Sequence, residues 1–447
     1  MKWAPYSKYK ASGIEWLGEI PEHWEVAPIR AFAMPGYKTF TDGDWIESPY
    51  IRDEGIRLIQ TGNIGVGRYR EQGFRYIDEE TFKQFRCTEI KPRDILICRL
   101  AEPVGRACLA PDLGVRMITS VDVCILKPRS DVDPAFVVYA LSYQGYLSWM
   151  NSICRGGTRD RVSRSMLGSI RIQKPPSDEQ RAIAAFLDME TARIDRLIEM
   201  KERQIELLQE KRTAVISHAV TKGLDPNVRM KDSGIEWLGE IPEHWEVYTL
   251  RRVAKRIQTG STPPTVEAHY YENGSVPWYG PGSFGVDLML NNPGKLIAEE
   301  AVRDGVARLF SQGSAMIVTI GATIGKVGYI ERDASCNQQI TVVTFDNSLA
   351  MGKFGAYQLK RLEPVLQGVA PSTTLPIMNQ QQVGDMPIAL PSLEEQKAIV
   401  VHIDDEARRI DTLIHKIHES IEKLREYRTA LISAAVTGRI DVRGEVV

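Results

Sequence analysis

One segment of fifteen residues occurs twice in this chain of 447 residues without a single change. Ser12 to Val26 reads SGIEWLGEIPEHWEV, and Ser233 to Val247 reads the same letters. Chance does not produce an identity of that length, so the chain is a tandem duplication. Whatever fold the first half adopts should therefore be adopted again by the second half.

A looser second repeat follows each middle segment. Glu179-Gln180-Arg181-Ala182-Ile183 matches Glu395-Gln396-Lys397-Ala398-Ile399, and the two halves end alike, at Gly223 and Gly438. Between the repeats, the middle segments have diverged almost completely. The duplicated unit therefore consists of a short arm, a variable middle and a terminal segment.

The two terminal segments have the apolar spacing of long helices. Each starts at a Pro-Ser pair followed by acidic residues, which favour a helix N-terminus, and ends at a glycine. The apolar residues, three, four or seven positions apart, are Ile183, Leu187, Ile194, Ile198, Ile205, Leu208 and Val215, then Ile399, Ile403, Ile410, Ile414, Ile417, Ile421, Leu424 and Leu431. This seam predicts coiled-coil helices of about 40 residues each. They could be two unrelated surface helices or form a homodimeric coiled coil, but pairing within one chain is favoured because a folded domain joins them.

One echo survives in the middle segments. Asp94 to Ile97, leading to Gly105-Arg106, resembles Ser314 to Ile317, leading to Gly325-Lys326, and both read as a buried strand, a turn and a second strand. Together with short helical patches, this predicts a mixed α/β (α+β) fold. The predicted order is an arm at 1–27, a globular domain at 28–174, a helix at 175–223, a second arm at 224–247, a second globular domain at 248–390, a second helix at 391–438 and a tail at 439–447.

Composition limits the class of protein. The hydrophobic fraction of 43% and the charged fraction of 26% are those of an ordinary globular chain, and no apolar run is suited to a membrane. The start, Met1 to Lys10, is polar and lacks the apolar core of a secretion signal. Six scattered cysteines form no Cys-x-x-Cys pair, which favours reduced thiols. These features predict a cytoplasmic protein with no membrane partner.

The repeated arm and the Pro-x-x-x-Glu-Gln helix that ends in Arg-Thr-Ala resemble the framework of type I restriction-modification DNA-specificity subunits. The resemblance covers the whole chain. It implies two pseudo-repeated globular target-recognition domains, separated by two long antiparallel coiled-coil helices that act as a spacer. It also implies a non-catalytic subunit that recognises a bipartite double-stranded DNA site and docks modification (adenine methyltransferase) subunits, joined by a restriction (motor-nuclease) subunit for cleavage.

The sequence lacks the motifs expected of a DNA methyltransferase or a nucleotide-driven motor. The Pro-Pro pairs, Pro175-Pro176 and Pro263-Pro264, lack the amide or acid before them and the aromatic after them that an adenine methyltransferase needs. Gly321 to Val327 is one residue short of a nucleotide-binding loop and lacks its Ser or Thr, so it reads as a turn between strands. His415 and His418 lie three apart, but no further metal ligand is arranged beside them. No catalytic residue, metal site or cofactor is predicted.

The net charge of −2 gives no overall sign of a nucleic-acid partner, but the charge is unevenly distributed. Between Cys154 and Lys174, one acid, Asp160, faces six basic residues, namely Arg155, Arg159, Arg161, Arg164, Arg171 and Lys174. Because arginine binds phosphates and reads guanine, a loop here is the first candidate for DNA contact. Its alternative is a solvated basic face without a ligand.

A second basic cluster in the first domain and a polar set in the second are further candidates. The basic cluster is Arg68, Arg70 and Arg75, near Asn63 and interleaved with Tyr69, Phe74 and Tyr76. The polar set, whose amides suit adenine, comprises Trp278, Tyr279, Asn337, Gln338, Gln339, Ser372, Thr373 and Thr374. For Asn379 to Gln382, which lie close before the second helix, a structural role is an equal alternative.

Two other classes of function compete with a recognition subunit. A fused methyltransferase or nuclease would show methyl transfer or cleavage by the isolated chain, and the missing motifs count against it. A coiled-coil scaffold or regulator, whose middle domains bind protein, would fail to shift duplex DNA in the presence of modification subunits.

Overall fold

The computed structural model describes residues 3–101, 103–154, 161–368 and 377–445 of the chain. Helices and strands both contribute, which confirms the predicted mixed α/β class. The chain divides into two compact units, one formed by Met1–Lys201 with His418–Val447 and the other by Glu202–Ile417. Each unit contains one arm, one middle domain, the first part of one long helix and the last part of the other.

The two terminal segments are helices, as predicted. The first long helix runs over Ser177–Lys222 and the second over Leu393–Val436, with 46 and 44 residues. Gly223 and Gly438 follow them with φ of +74° and +70°, a left-handed conformation that glycine adopts without strain. Seam residues that are at most 2% exposed include Ile183, Leu187, Ile194, Ile399, Ile403 and Ile410.

Each unit pairs the two long helices through an equivalent ion pair. In the first unit Arg428 Nε lies 3.0 Å from Asp195 Oδ1, and in the second Arg212 NH1 lies 3.1 Å from Asp411 Oδ1. As the residue number rises along the first helix, the number of its partner on the second helix falls. The helices therefore run antiparallel, and the pairing is within one chain rather than between two copies.

The first middle domain contains two sheets. The antiparallel sheet has the strand order Phe40–Asp42, Val123–Leu126, Ile95–Cys98 and Ala107–Leu109. The smaller sheet has the order Tyr76–Ile77, Ile56–Ile59 and Met117–Thr119, with the last two parallel. The helices of the domain are Glu79–Gln84, Pro134–Ser142, Gln144–Cys154 and Arg164–Ser169, with short 3₁₀ turns at Ile29–Phe32, Ser48–Tyr50 and Thr61–Asn63.

The second middle domain repeats this topology. Its antiparallel sheet has the order Ala254–Thr259, Ile340–Phe345, Ala315–Val318 and Val327–Tyr329. Its smaller sheet has the order Lys295–Ile297, Val276–Tyr279 and Ser335–Cys336, again with the last two parallel. The helices are Leu250–Val253, Glu299–Arg303, Gly352–Arg361, Glu363–Gly368 and Gln380–Asp385, with 3₁₀ turns at Ala268–Tyr270 and Pro281–Ser283. The duplication therefore extends through the segments whose sequences have diverged.

The predicted strand–turn–strand echo is confirmed in both domains. In the first strand of the echo, Ile95 and Ile97 join one apolar core while Leu96 joins another, because alternate side chains of a strand point to opposite faces. A strand covered on both faces reads as a continuous apolar run, which is why it was recognisable in the sequence. Asp94 and Ser314, which differ between the halves, both serve the preceding turn, Asp94 by accepting from Lys91 N and Ser314 by donating to Ser311 O.

The arms form four short strand pairs, two within the arms and two with the middle domains. Each arm forms a hairpin, Tyr9–Ala11 with Glu19–Pro21 and Met230–Asp232 with Glu240–Pro242. Each arm then continues into a strand that pairs with the last strand of its middle domain, Glu25–Pro28 with Arg171–Lys174 and Glu246–Thr249 with Pro387–Leu390. We call these last two pairs the necks. Within the described residues, no helix combines the length and apolarity needed to cross a bilayer.

The repeated Glu-Gln pair joins arm, domain and helix in each unit, and we call each of these two junctions a joint. Glu179 accepts hydrogen bonds from Trp24 Nε1 and Tyr6 Oη, both at 2.9 Å, and its Oε1 lies 2.6 Å from His23 Nε2. Gln180 Oε1 accepts from the backbone N of Asp133 at 3.0 Å. These contacts give a structural reason for the repeated His-Trp pair of the arms, because that pair is the partner of the helix glutamate.

The second unit repeats the joint with fewer partners. Trp245 Nε1 donates to Glu395 at 3.0 Å, His244 Nε2 lies 2.8 Å from it, and Gln396 Oε1 accepts from Met351 N at 2.7 Å. The side chain of Glu395 is 29% exposed, whereas that of Glu179 is 5% exposed. The two joints should therefore differ in what they contribute to stability.

Replacing Glu179 with Ala should destabilise the protein by about 2–5 kcal/mol, because it leaves two buried donors, on Trp24 and Tyr6, without an acceptor. The matched change Glu395→Ala should cost about 1 kcal/mol, since water reaches that site. Urea denaturation of the two full-length variants measures the difference. Equal losses would contradict the unequal roles assigned to the two joints.

Candidate nucleic-acid interface

In the first middle domain, several loops meet where the two parallel strands end. The backbone N of Ser120, after one strand, donates to Ile59 O, at the end of the other, at 3.0 Å. The carboxyl ends of parallel strands are where open α/β sheets place their ligands. We call this region the first reading edge and define it as residues 60–76, 99–101, 103–106, 120–122 and 161–164.

A buried arginine holds two of these loops together. Arg106 is 7% exposed and donates to Ile64 O at 2.7 Å and to Thr61 O at 3.0 Å on one loop. It also donates to Leu100 O at 2.9 Å and to Pro103 O at 3.0 Å on the other. Its role could not be predicted from the sequence, although Gly105-Arg106 is part of the echo between the halves.

The second domain uses a lysine in the same way. Lys326, which matches Arg106 in the echo, donates from Nζ to Phe284 O at 3.1 Å. Phe284 follows the turn Pro281–Ser283 as Ile64 follows Thr61–Asn63. A cationic side chain therefore fixes the same loop in both domains.

The first reading edge carries the predicted cluster of Arg68, Arg70 and Arg75. All three side chains are exposed, and none forms an ion pair within the described part of the chain. Arginines placed in this way are available to phosphates or base edges. Asn63, by contrast, is 2% exposed and donates from Nδ2 to Arg70 O and Gln72 O, so it shapes the loop from inside.

A second buried arginine, also missed in the sequence, supports this cluster. Arg57 is 1% exposed and donates to the carbonyls of Gly73, Arg75 and Gln72 at 3.0–3.2 Å. Its guanidinium lies 5.2 Å from the ring centre of Phe74, which is itself 62% exposed. The segment that carries the exposed arginines is therefore fixed by hydrogen bonds from the buried guanidinium of Arg57.

The basic residues at 154–174 that were predicted to form one loop lie in two different places in the structure. Arg161 and Arg164 lie at the first reading edge, but both are ion-paired, with Asp122 at 2.8 Å and Asp42 at 3.7 Å. Arg171 and Lys174 lie instead in the neck strand, where Arg171 donates to Val26 O. Arg155 and Arg159 lie outside the described residues.

The second domain has an equivalent edge of different chemistry. Asn337 N donates to Tyr279 O at 3.0 Å, which joins the ends of its two parallel strands. We define the second reading edge as residues 259–262, 280–286, 319–326, 337–339 and 377–380. Trp278 lies at the end of its strand and donates from Nε1 to Ser261 O at 3.1 Å. The exposed Gln338 accepts from Thr262 Oγ1, so these predicted residues do come together.

Other residues predicted for this domain are structural or not described. Tyr279 is 1% exposed and its hydroxyl donates to Leu290 O at 2.6 Å, while burial raises its pKa, so its side chain belongs to the core. Asn337 is 9% exposed and donates to Gln339 Oε1. Asn379 caps the helix Gln380–Asp385 reciprocally with Gln382, which supports the structural alternative. Ser372, Thr373 and Thr374 lie outside the described residues.

The glycine-rich turn and two of the cysteines have structural explanations. Gly321 to Val327 joins the strands Ala315–Val318 and Val327–Tyr329, as a turn should. Burial raises the pKa of the Cys87 thiol to about 11 and of the Cys108 thiol to about 12, so neither is a ready nucleophile. Within the described ranges, no three His, Cys, Asp or Glu side chains are grouped to hold a metal ion.

The duplicated domain and the different chemistry of its two edges indicate the class of protein. The same domain occurs twice on a shared helical framework, and its equivalent edges differ, one rich in exposed arginine and the other in amides and hydroxyls. That combination is typical of a duplicated recognition protein, in which a constant frame presents two variable surfaces.

The family then follows from comparison with known proteins. The family model described as type I restriction modification DNA specificity domain matches residues 42–209 and again 242–423, which together exceed half of the chain. The chain belongs to this family. It is a specificity subunit, the non-catalytic recognition component of such an enzyme, which confirms the resemblance seen in the repeated arm and helix.

Individual relatives agree over the full length. The type I restriction enzyme MjaVIII specificity subunit of Methanocaldococcus jannaschii is 26% identical, over 95% of this chain and 94% of the relative. The StySPI specificity subunit of Salmonella potsdam is 20% identical, over 95% and 90%.

Solved structures share the fold. A chain from a study of complex assembly and conformational transition of the type I R-M system superposes with a TM-score of 0.70 at 16% identity, covering 93% of this chain and 98% of that one. The HsdS subunit from Thermoanaerobacter tengcongensis gives 0.56 at 18% identity, covering 94% and 98%.

Proposed function

We propose that each recognition domain binds one half of a bipartite double-stranded DNA site. The long helices act as the spacer and dock the modification (adenine methyltransferase) subunits, and a restriction (motor-nuclease) subunit joins for cleavage. The observation that carries this proposal is the difference between two topologically identical reading edges. A frame that is kept while its edge chemistry changes is what recognition of two different half-sites requires.

The chemistry of each edge suggests how it binds. Arg68, Arg70 and Arg75 of the first edge suit phosphates and the O6 and N7 acceptors of guanine. Gln338 of the second edge, beside Trp278 and Thr262, suits the N6 and N7 groups of adenine. We retain the boundaries 28–174 and 248–390 for the two domains, and a cytoplasmic location, as parts of this proposal.

Coexpression with modification subunits tests the proposal directly. Sequencing of methylated bases in the genomic DNA of such cells should reveal a two-part motif with a fixed gap. A gel shift with duplex of the mapped sequence should require the assembled complex. A motif without a gap would contradict one half-site per domain.

The purified chain alone should show no methyl transfer, nuclease or ATPase activity, because the loops that these reactions need are absent from its sequence. Addition of modification subunits and a methyl donor should produce methyl transfer to duplex DNA, measured with a labelled donor. Methyl transfer by the chain alone would contradict the assignment.

A further inference from the structure

Five charged side chains lie together, four of them at the first reading edge and one at the end of the neighbouring strand Phe40–Asp42. They are three arginines and two aspartates, namely Arg99, Arg161, Arg164, Asp42 and Asp122. Each aspartate contacts two arginines, since Asp42 lies 3.2 Å from Arg99 and 3.7 Å from Arg164, and Asp122 lies 4.0 Å from Arg99 and 2.8 Å from Arg161. We call this group the charge cluster.

Arg99 is the fixed member of the charge cluster. Its side chain is 5% exposed and donates to Val121 O at 2.6 Å and to Val162 O at 3.4 Å. Its own backbone is tied on both sides, because its N donates to Asp122 O and its O accepts from Val162 N. Arg99 therefore stays in place and keeps one positive charge between the two carboxylates.

The two outer arginines differ in how firmly they are held. Their side chains are 47% and 44% exposed, so both can reach solvent. Arg161 makes the shorter contact, at 2.8 Å, and its backbone bridges to Leu100. Arg164 makes the longer contact, at 3.7 Å, and begins the helix Arg164–Ser169.

The balance of charges limits how many arginines can leave the charge cluster. Among the residues that the structure describes, three guanidinium groups face two carboxylates, so this group carries one surplus positive charge. If one outer arginine leaves, Arg99 and the remaining one still balance both aspartates. If both leave, a partly buried carboxylate loses its counterion, which is costly. One arginine can therefore leave without stranding a partly buried carboxylate, and the longer contact identifies Arg164.

We propose that Arg164 exchanges Asp42 for a DNA phosphate, while Arg161 stays on Asp122 as a positioning residue. This inference rests on the proposed DNA binding. In the free protein Asp42 neutralises Arg164, so every duplex must displace that ion pair before it gains the phosphate contact. Asp42 thereby lowers the affinity for every sequence by a similar factor, while the preference between sequences still comes from the base contacts at the half-site.

The test uses the chain assembled with its modification subunits and two duplexes, one carrying the mapped site and one with its first half-site scrambled. Fluorescence anisotropy over a series of salt concentrations gives affinity and salt slope. Arg164→Gln should weaken binding several-fold and make the slope shallower by about 0.9, the value for one lost phosphate contact. Arg161→Gln should leave the slope unchanged and lower the melting temperature instead.

Asp42→Asn should tighten binding to both duplexes several-fold and by a similar factor, so the preference for the mapped site should stay the same. The double variant with Arg164→Gln separates two causes of this gain. If Asp42 acts by holding Arg164, the double variant binds like Arg164→Gln alone. If the gain persists, removal of a negative charge near DNA is the cause, and the proposed exchange is wrong.

Arg171→Gln is the matched control, because it removes an exposed arginine of the same basic stretch that lies in the neck strand. It should leave the salt slope as it is. An unchanged slope in Arg164→Gln, with the unaltered complex binding normally, would overturn the inference and leave the proposed function intact. Failure of the unaltered complex to bind the mapped duplex would contradict the proposed function itself.

Discussion

Replacing residues 29–170 with the equivalent segment of another specificity subunit should change one half of the recognised sequence completely and leave the other half unchanged. The cut points lie just inside the first neck, where Ile29 N donates to Ile170 O at 2.8 Å, so both neck strands stay native. The Glu179 joint also lies outside the exchanged segment. Sequencing of methylated genomic DNA in cells with the hybrid complex measures the result.

The second domain offers a reciprocal control. Leu250 N donates to Met386 O at 2.8 Å, which gives the equivalent cut points 250 and 386. The donor segment should keep a tyrosine at the position of Tyr139 or Tyr357, since these hydroxyls bond to Asp188 and Asp404 of the long helices. A hybrid in which both half-sites change would show that the two domains share a reading surface.

The helical framework could be predicted from sequence because its contacts are periodic. Ile183, Leu187 and Ile194 repeat along one stripe, and a stripe of that spacing has few solutions other than a long paired helix. The strand after Asp94 was recognisable for a similar reason, since burial on both faces makes it continuously apolar. Local pattern was sufficient in both cases.

The reading edges could be predicted only in part, because they depend on contacts between distant residues. The exposed cluster of Arg68, Arg70 and Arg75 was found from charge alone. The local sequence does not show that Arg57 holds the segment carrying these arginines. It also does not show that Arg161 is paired with Asp122 and Arg164 with Asp42. Those pairings arise only once the sheets bring separate loops to one edge.

The role of the repeated arm was ambiguous in the sequence for another reason. The repeated arm contains the neighbouring residues His23 and Trp24, and their local sequence does not show what they contact. Their partner, Glu179, lies more than 150 residues away, and only the fold brings the two repeats into contact. Two repeats that are kept while the segment between them diverges are therefore a signal that they touch.

Inserting one heptad into each long helix should lengthen the gap between the half-sites by about three base pairs. In the two ion pairs between the helices, Asp195–Arg428 and Arg212–Asp411, the residue numbers add up to the same value. An insertion after Arg203 in the first helix therefore lies opposite an insertion after Glu419 in the second. Repeating residues 197–203 and 413–419 at these points keeps the apolar seam in phase. Seven residues add about 10 Å at 1.5 Å per residue, and duplex DNA rises about 3.4 Å per base pair.

The twist of DNA supplies an internal check on this ruler. Three base pairs rotate the second half-site by about 100°, since a turn takes about 10.5 base pairs, so one heptad should reduce activity. Three heptads add about 31 Å, close to nine base pairs and nearly a full turn, so activity should recover with a longer gap. An insertion in one helix alone should break the pairing and abolish methylation. An active double-insertion variant that keeps the original gap would show that these helices do not set the distance.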